Sequence, residues 1–307
     1  VTLLLDKGAD ASSGLKAAVD TLSLPMVNLL LERGADNTAE MANAAGRGGD
    51  AIVQAMISKG GDANAGMAAA VKADKASTVK ILVEAGADPA PAMAYAVDKS
   101  NGPLLELLIS KGGDATVSAY VAKAAERGDV AILNILLEKG SADANPGMLP
   151  AVTHQGAGVV DILLKHGASG SSPALIKKSV ERGEVTTAGL LLNSGADASP
   201  GDLIRVAVSQ KNTAMTGLLL EKGADANNGT MESIKQNSTE ILSLLKSKGA
   251  DLGRAGYLAA SAPHNNTTLS GMLLEGGCAP QEGVVPAANS NASKVLDLLL
   301  AKGADLK

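Results

Sequence analysis

Residues 63–88 read ANAGMAAAVKADKASTVKILVEAGAD, and two apolar stripes stand out in them. Met67, Ala70 and Val71 recur at i, i+3 and i+4, which places three apolar side chains on one face of a helix about two turns long. Val79, Leu82 and Val83 repeat the pattern and mark a second helix. That helix stops at Gly86, because the left-handed backbone that closes a helix is easiest for glycine. Helix, turn, helix and glycine stop make an αα-hairpin. A hairpin this small cannot bury both stripes on itself, so it needs neighbours of the same kind.

The neighbours are present on both sides. The closing phrase, Leu-Leu-x-Lys-Gly-Ala-Asp with variations, recurs with its glycine at positions 8, 34, 60, 86, 112, 140, 167, 195, 223, 249, 277 and 303, at intervals of 26 to 28 residues. A supersecondary unit copied at a near-fixed period is the signature of a solenoid. Counting back 19 residues from the glycines gives Leu15, Met41, Met67, Met93, Val121, Met148, Ile176, Ile204, Leu258 and Val284, with Thr230 the one polar exception. This spacing predicts that the two helices and their turn keep a constant length. The extra residues of the longer units are then expected in the connection after Gly-Ala-Asp, as in Gly140-Ser141-Ala142-Asp143. Asp50, Ser77, Asp129, Thr213, Ser238 and Ser293 are placed to start the second helices, where a side-chain oxygen can accept from exposed amides. The repeat runs through residues 1–307 without a break in composition, which predicts a single array. Neither end carries the polar cap expected of a terminal repeat, so the array reads as part of a longer protein.

Composition narrows the function. The chain has no Phe, no Trp, three Tyr and a net charge of −5, with cations and anions interspersed, so nothing in its overall field favours nucleic acid. No apolar run reaches the roughly 18 residues of a membrane span. Cys278 stands alone and excludes an internal disulfide. His154 and His264 occupy equivalent turns four units apart, and His166 is isolated, so no metal, cofactor or catalytic site is expected from them. The recurring Asp, from Asp10 to Asp305, reads as a turn residue, because neighbouring rungs about 10 Å apart cannot share one ion.

The segment AAERGDVAILNILLEKGSADAN, residues 124–145, resembles the second half of an ankyrin repeat in its inter-helix glycine, its apolar second helix and its exit. An ankyrin unit has about 33 residues, about seven more than here. The constant helical spacing places the deficit in the connection that forms the projecting β-hairpin finger. The Thr-Pro-Leu-His tetrapeptide of that family is also missing. The resemblance implies an all-α solenoid of about twelve ankyrin-like αα-hairpins without fingers. Binding through fingers does not carry over, but a solenoid with no catalytic constellation holds a partner rather than performing a reaction, so the expectation is a non-catalytic scaffold that binds another protein.

The first helices differ most at their outer positions. Lys123, Lys177, Lys178 and Arg205 form a basic stretch there and point to an acidic protein partner, and Tyr95 is a candidate contact because Tyr is favoured at binding hot spots. These residues are the candidate partner-binding set. The alternative is a structural subunit that self-associates through its monotonous repeat surfaces into a filament or wall. Cytoplasmic residence is the expectation. A secreted form N-glycosylated at Asn237, Asn265 and Asn291 is the alternative, and Asn228 and Asn266 also begin Asn-x-Ser/Thr sequons.

Overall fold

A computed structural model of the chain describes residues 1–305. It is 67% helical, with no strand among the described residues, so the connections that would carry fingers are short turns. The helices form αα-hairpins in series, as the resemblance to ankyrin repeats implies. By compactness the chain falls into two units, Val1–Gly147 and a second that begins at Met148.

In the first unit Thr2–Asp6 is followed by Ser12–Asp20 with Leu24–Glu32, Met41–Arg47 with Asp50–Ser58, Asn64–Lys72 with Ala76–Glu84, and Ala90–Asp98 with Gly102–Ser110. Ser118–Arg127 then pairs with Val130–Asn134, which continues as the π-helical turn Ile135–Lys139. In the second unit a short first helix, Met148–Pro150 running into the π turn Ala151–Gln155, precedes Ala157–Lys165. Regular hairpins resume with Pro173–Glu181 and Val185–Asn193, Gly201–Ser209 and Thr213–Glu221, and Asn227–Lys235 and Thr239–Ser247. Tyr257–Ser261 with Thr267–Glu275, and Gln281–Asn289 with Ser293–Ala301, complete it. Within each unit first helices pack on first helices and second helices on second helices.

The apolar stripes are the core. Leu15, Met41, Met93, Val121, Ile204 and Leu258 are 1% exposed or less. Thr230, the polar exception, is equally buried and turns its Oγ1 back to the carbonyl of Ala226 at 3.1 Å, which satisfies its hydroxyl locally. Small residues let the first helices approach closely: a methyl group added at Gly66 would lie 3.0 Å from the Cβ of Ala45.

The second helices end as their glycines predict, Gly140 excepted. Gly34, with φ 85, donates to the carbonyl of Leu31, and Ala35 donates to that of Leu30, the paired bonds of a Schellman close. The Asp of the closing phrase then folds the connection. Asp36 accepts from the amide of Thr38 at 2.9 Å, and the same Asp-to-second-amide bond recurs at Asp10, Asp62, Asp88, Asp114, Asp143, Asp197, Asp225 and Asp251. These carboxylates serve as turn residues.

Two expectations need correcting. The side-chain caps are mostly residues that the sequence did not single out: Asn101, Asn212 and Asn266 accept from the amides of Leu104, Met215 and Leu269, and of the residues picked from sequence only Asp129 caps, accepting from Ile132. Ser77, Thr213 and Ser293 lie inside the first helical turn, and Ser238 is an N-cap whose side chain makes no cap bond. Constant helix length also fails in the sixth hairpin, Ser118–Lys139, where the half-hairpin closing at Gly8 counts as the first. There the extra residue is taken up inside the helix by the π turn, Gly140 stays right-handed at φ −88, and Ser141 takes the left-handed position at φ 53.

Candidate functional site

The outward side of the first helices is organised by bonds from each repeat to the one before it. In the first unit Asp20 accepts from Lys16 at 2.8 Å within its own helix, and from Asn43 at 2.9 Å and Arg47 at 2.8 Å in the next. The Lys16 ammonium and the Asn43 amide hold its carboxyl down at about 2. Asp74, in the turn after Asn64–Lys72, accepts from Tyr95 Oη at 2.9 Å and Lys99 Nζ at 2.7 Å. Burial and this carboxylate push the Tyr95 phenol up to about 12. Asp98 pairs with Lys123, and Arg127 donates from Nη1 to the Asp98 carbonyl at 2.8 Å and from Nη2 to Ser100 Oγ at 3.1 Å.

The second unit follows the same rule with fewer ions. Arg182 donates to the carbonyl of Thr153, and Gln210 donates to that of Glu181 at 2.8 Å. A side chain near the end of one first helix thus satisfies the open carbonyls of the preceding first helix. A second set of bonds ties each exit to its own hairpin: Asp36, Asp88, Asp251 and Asp305 donate their amides to Ser12, Asn64, Asn227 and Gln281, at the start of the same repeat's first helix.

Against this frame the candidate partner-binding residues separate. Tyr95 is 8% exposed and its ring belongs to the repeat junction. Lys123 lies on the first unit, half exposed and paired. Lys177 and Arg205 are exposed and Lys178 half-buried on the second unit, on the neighbouring first helices Pro173–Glu181 and Gly201–Ser209. None of these three has an ion pair among the described residues. A cleft beside those two helices is lined by Pro173, Ile176, Pro200 and Leu203 together with Lys177, Asp197 and Asp202. Tyr257 is buried and Tyr120 half-buried.

Among the described residues no group of three or more His, Cys, Asp and Glu could hold a metal ion, and no helix is long and apolar enough to cross a membrane. Cys278 is buried, its thiol bonded to the carbonyl of Leu252, and burial pushes its pKa up, away from the reactive thiolate.

The sequence matches no family model and no curated protein. Among solved structures it is similar to the ankyrin repeat domain of human ASB11. The likeness covers 59% of this chain and 95% of that one, at 23% identity and a TM-score of 0.46.

Proposed function

We propose that this chain is a non-catalytic scaffold that holds another protein on the outward side of its first helices, and that the partner's contacting surface is acidic. The supporting observation is a difference in how the cations are used. Lys16, Arg47, Lys99 and Lys123 are committed to carboxylates of their own or the preceding helix, and Arg127 and Arg182 to helix-end carbonyls. Lys177, Lys178 and Arg205 are not, although they stand on adjacent helices. Uncommitted cations on a rigid face steer an acidic partner and raise its association rate. Lys123 contributes by exchanging Asp98 for a carboxylate of the partner. Tyr95 contributes indirectly, by holding Asp74 and the surface around it.

The test uses a labelled oligoglutamate peptide as the acidic probe. Its association rate with the parent chain should fall steeply as salt is added. Combining Lys177→Ala, Lys178→Ala and Arg205→Ala should lower that rate about tenfold at low salt. Exposed substitutions of this kind shift stability by less than about 0.5 kcal/mol, so folding should survive. An unchanged rate in the triple variant rejects the face.

A further inference from the structure

The five sequons divide into two groups once their side-chain atoms are followed. Asn237, Asn265 and Asn291 occupy the same place in three consecutive hairpins, the turn between the helices, each with φ 52 and each exposed. Asn265 accepts through Oδ1 from the amides of Lys294 at 3.1 Å and Val295 at 3.3 Å. Asn237 accepts through Oδ1 from Asn266 at 2.8 Å. In both, the amide nitrogen Nδ2 has no hydrogen bond among the described residues, and the Asn291 side chain has none at either atom.

The other two are blocked. Asn266 spends Nδ2 on Asn237 and on Thr239 Oγ1 at 3.1 Å, while its Oδ1 caps the helix at Leu269. Asn228 is exposed on the helix Asn227–Lys235, but the hydroxyl of its sequon, on Thr230, is fully buried and bonded to the carbonyl of Ala226.

We propose that Asn237, Asn265 and Asn291 are N-glycosylation sites that place a row of glycans along the inter-helix turns, and that Asn228 and Asn266 are not modified. The donor class is a lipid pyrophosphate-linked oligosaccharide. Nδ2 forms a bond to the anomeric carbon, the bond from that carbon to the pyrophosphate oxygen breaks, one Nδ2 proton is lost, and the lipid pyrophosphate leaves. The product is a secondary amide whose Oδ1 is unchanged, so the bonds that Asn265 and Asn237 accept survive modification. All three residues are exposed in their turns, so a bulky polar substituent on Nδ2 has solvent to enter.

The experiment has two parts. Protein from its natural source is treated with a peptide N-glycosidase in heavy-oxygen water, and peptides are mapped for the Asn-to-Asp conversion that marks a former glycan. Conversion at 237, 265 and 291, with none at 228 or 266, is expected. An untreated mass equal to the bare polypeptide overturns the proposal. In the second part the chain is routed through the secretory pathway of a cultured eukaryotic cell, and Asn237→Gln, Asn265→Gln and Asn291→Gln should each remove one glycan from the folded product. Glycans found on Asn228 or Asn266 of the folded parent chain overturn the geometric selection, without requiring any variant to fold.

Discussion

Arg127 donates from Nη1 to the backbone carbonyl of Asp98 at 2.8 Å, so the side chain of one repeat finishes the helix of the repeat before it. Helix ends leave carbonyls without partners, and a charged donor there is worth more than a neutral one. Nη2 also reaches Ser100 Oγ. Arg127→Ala should therefore destabilise the first unit by about 1 to 2 kcal/mol in urea unfolding, given that the guanidinium is exposed. Arg127→Lys should recover only part of the loss, because an ammonium cannot reach both acceptors with a planar fork. Full recovery with Lys would mean that charge alone matters.

Lys211 sits in the left-handed region at φ 54, where the equivalent residue one repeat earlier is Gly183 at φ 71. A non-glycine residue there costs about 1 to 2 kcal/mol, partly offset because glycine frees the unfolded chain. Lys211→Gly should raise stability by about 0.5 to 1 kcal/mol, and Gly183→Lys should lower it by a similar amount. Changes of the same sign at the two sites would contradict equal turn geometry.

Ala124 is 1% exposed at the close contact of first helices, whereas Ala119 on the same helix is exposed. Ala124→Leu should overpack the junction and cost about 1 to 3 kcal/mol, while Ala119→Leu should be nearly neutral. Urea midpoints of the two variants decide whether the stripe has been assigned to the right face.

The pH dependence follows from the turns. Hydrogen bonds from Thr38, Thr116, Asn145, Ser199 and Asn227 hold Asp36, Asp114, Asp143, Asp197 and Asp225 below the ordinary value of 3.8, and Asp20 lies at about 2. In the acid range the unfolded chain binds the more protons, so this stability is present above about pH 4 and is lost as pH falls toward 2. For Tyr95 the folded value is raised from 10.0 to about 12, so its contribution is complete below pH 10 and is lost as pH rises toward 12. Thermal midpoints across pH should fall on both sides. Asp20→Asn should flatten part of the acid limb and Tyr95→Phe the alkaline one; unchanged limbs would locate the titration elsewhere.

The hairpins were legible because their signals are local. Met67, Ala70 and Gly86 declare a buried face and a stop without reference to any other repeat. A cap is not legible where two competent residues adjoin, as in Asn212-Thr213, because only backbone geometry chooses between them. The bonds between repeats are not legible in this way, since they depend on which positions of successive helices face each other. Their trace is in the sequence nonetheless: Asp20 and Arg47, or Asp98 and Lys123, are opposite charges about one period apart. Tyr95 illustrates the same gap. A lone aromatic among alanines reads as a surface anchor, yet the ring is buried and its hydroxyl is spent on Asp74 of the preceding repeat.

The sixth hairpin offers the sharpest test of how the period is kept. Its buried residues Ile132, Leu133, Leu136 and Leu137 stand at the same distances before Gly140 as Thr78, Val79, Leu82 and Val83 stand before Gly86. Yet Ser141 holds the left-handed position, and Ala142 donates to the carbonyl of Leu136 as Ala87 donates to that of Leu82. The π turn Ile135–Lys139 is thus the cost of one surplus residue, placed where glycine would otherwise close the helix. Deleting Ser141 should bring Gly140 into the left-handed position, leave Ala142 on the same carbonyl, and turn Ile135–Lys139 into regular α-helix. A deletion inside a packed array normally destroys register, but this one should leave stability unchanged or raise it by about 1 kcal/mol, because glycine replaces serine at positive φ. Removing Ala85 from the regular fourth hairpin is the control and should destabilise the first unit severely. Urea unfolding and amide exchange over residues 135–142 measure both effects. Comparable losses from the two deletions would show that the π turn is required by the packing around it.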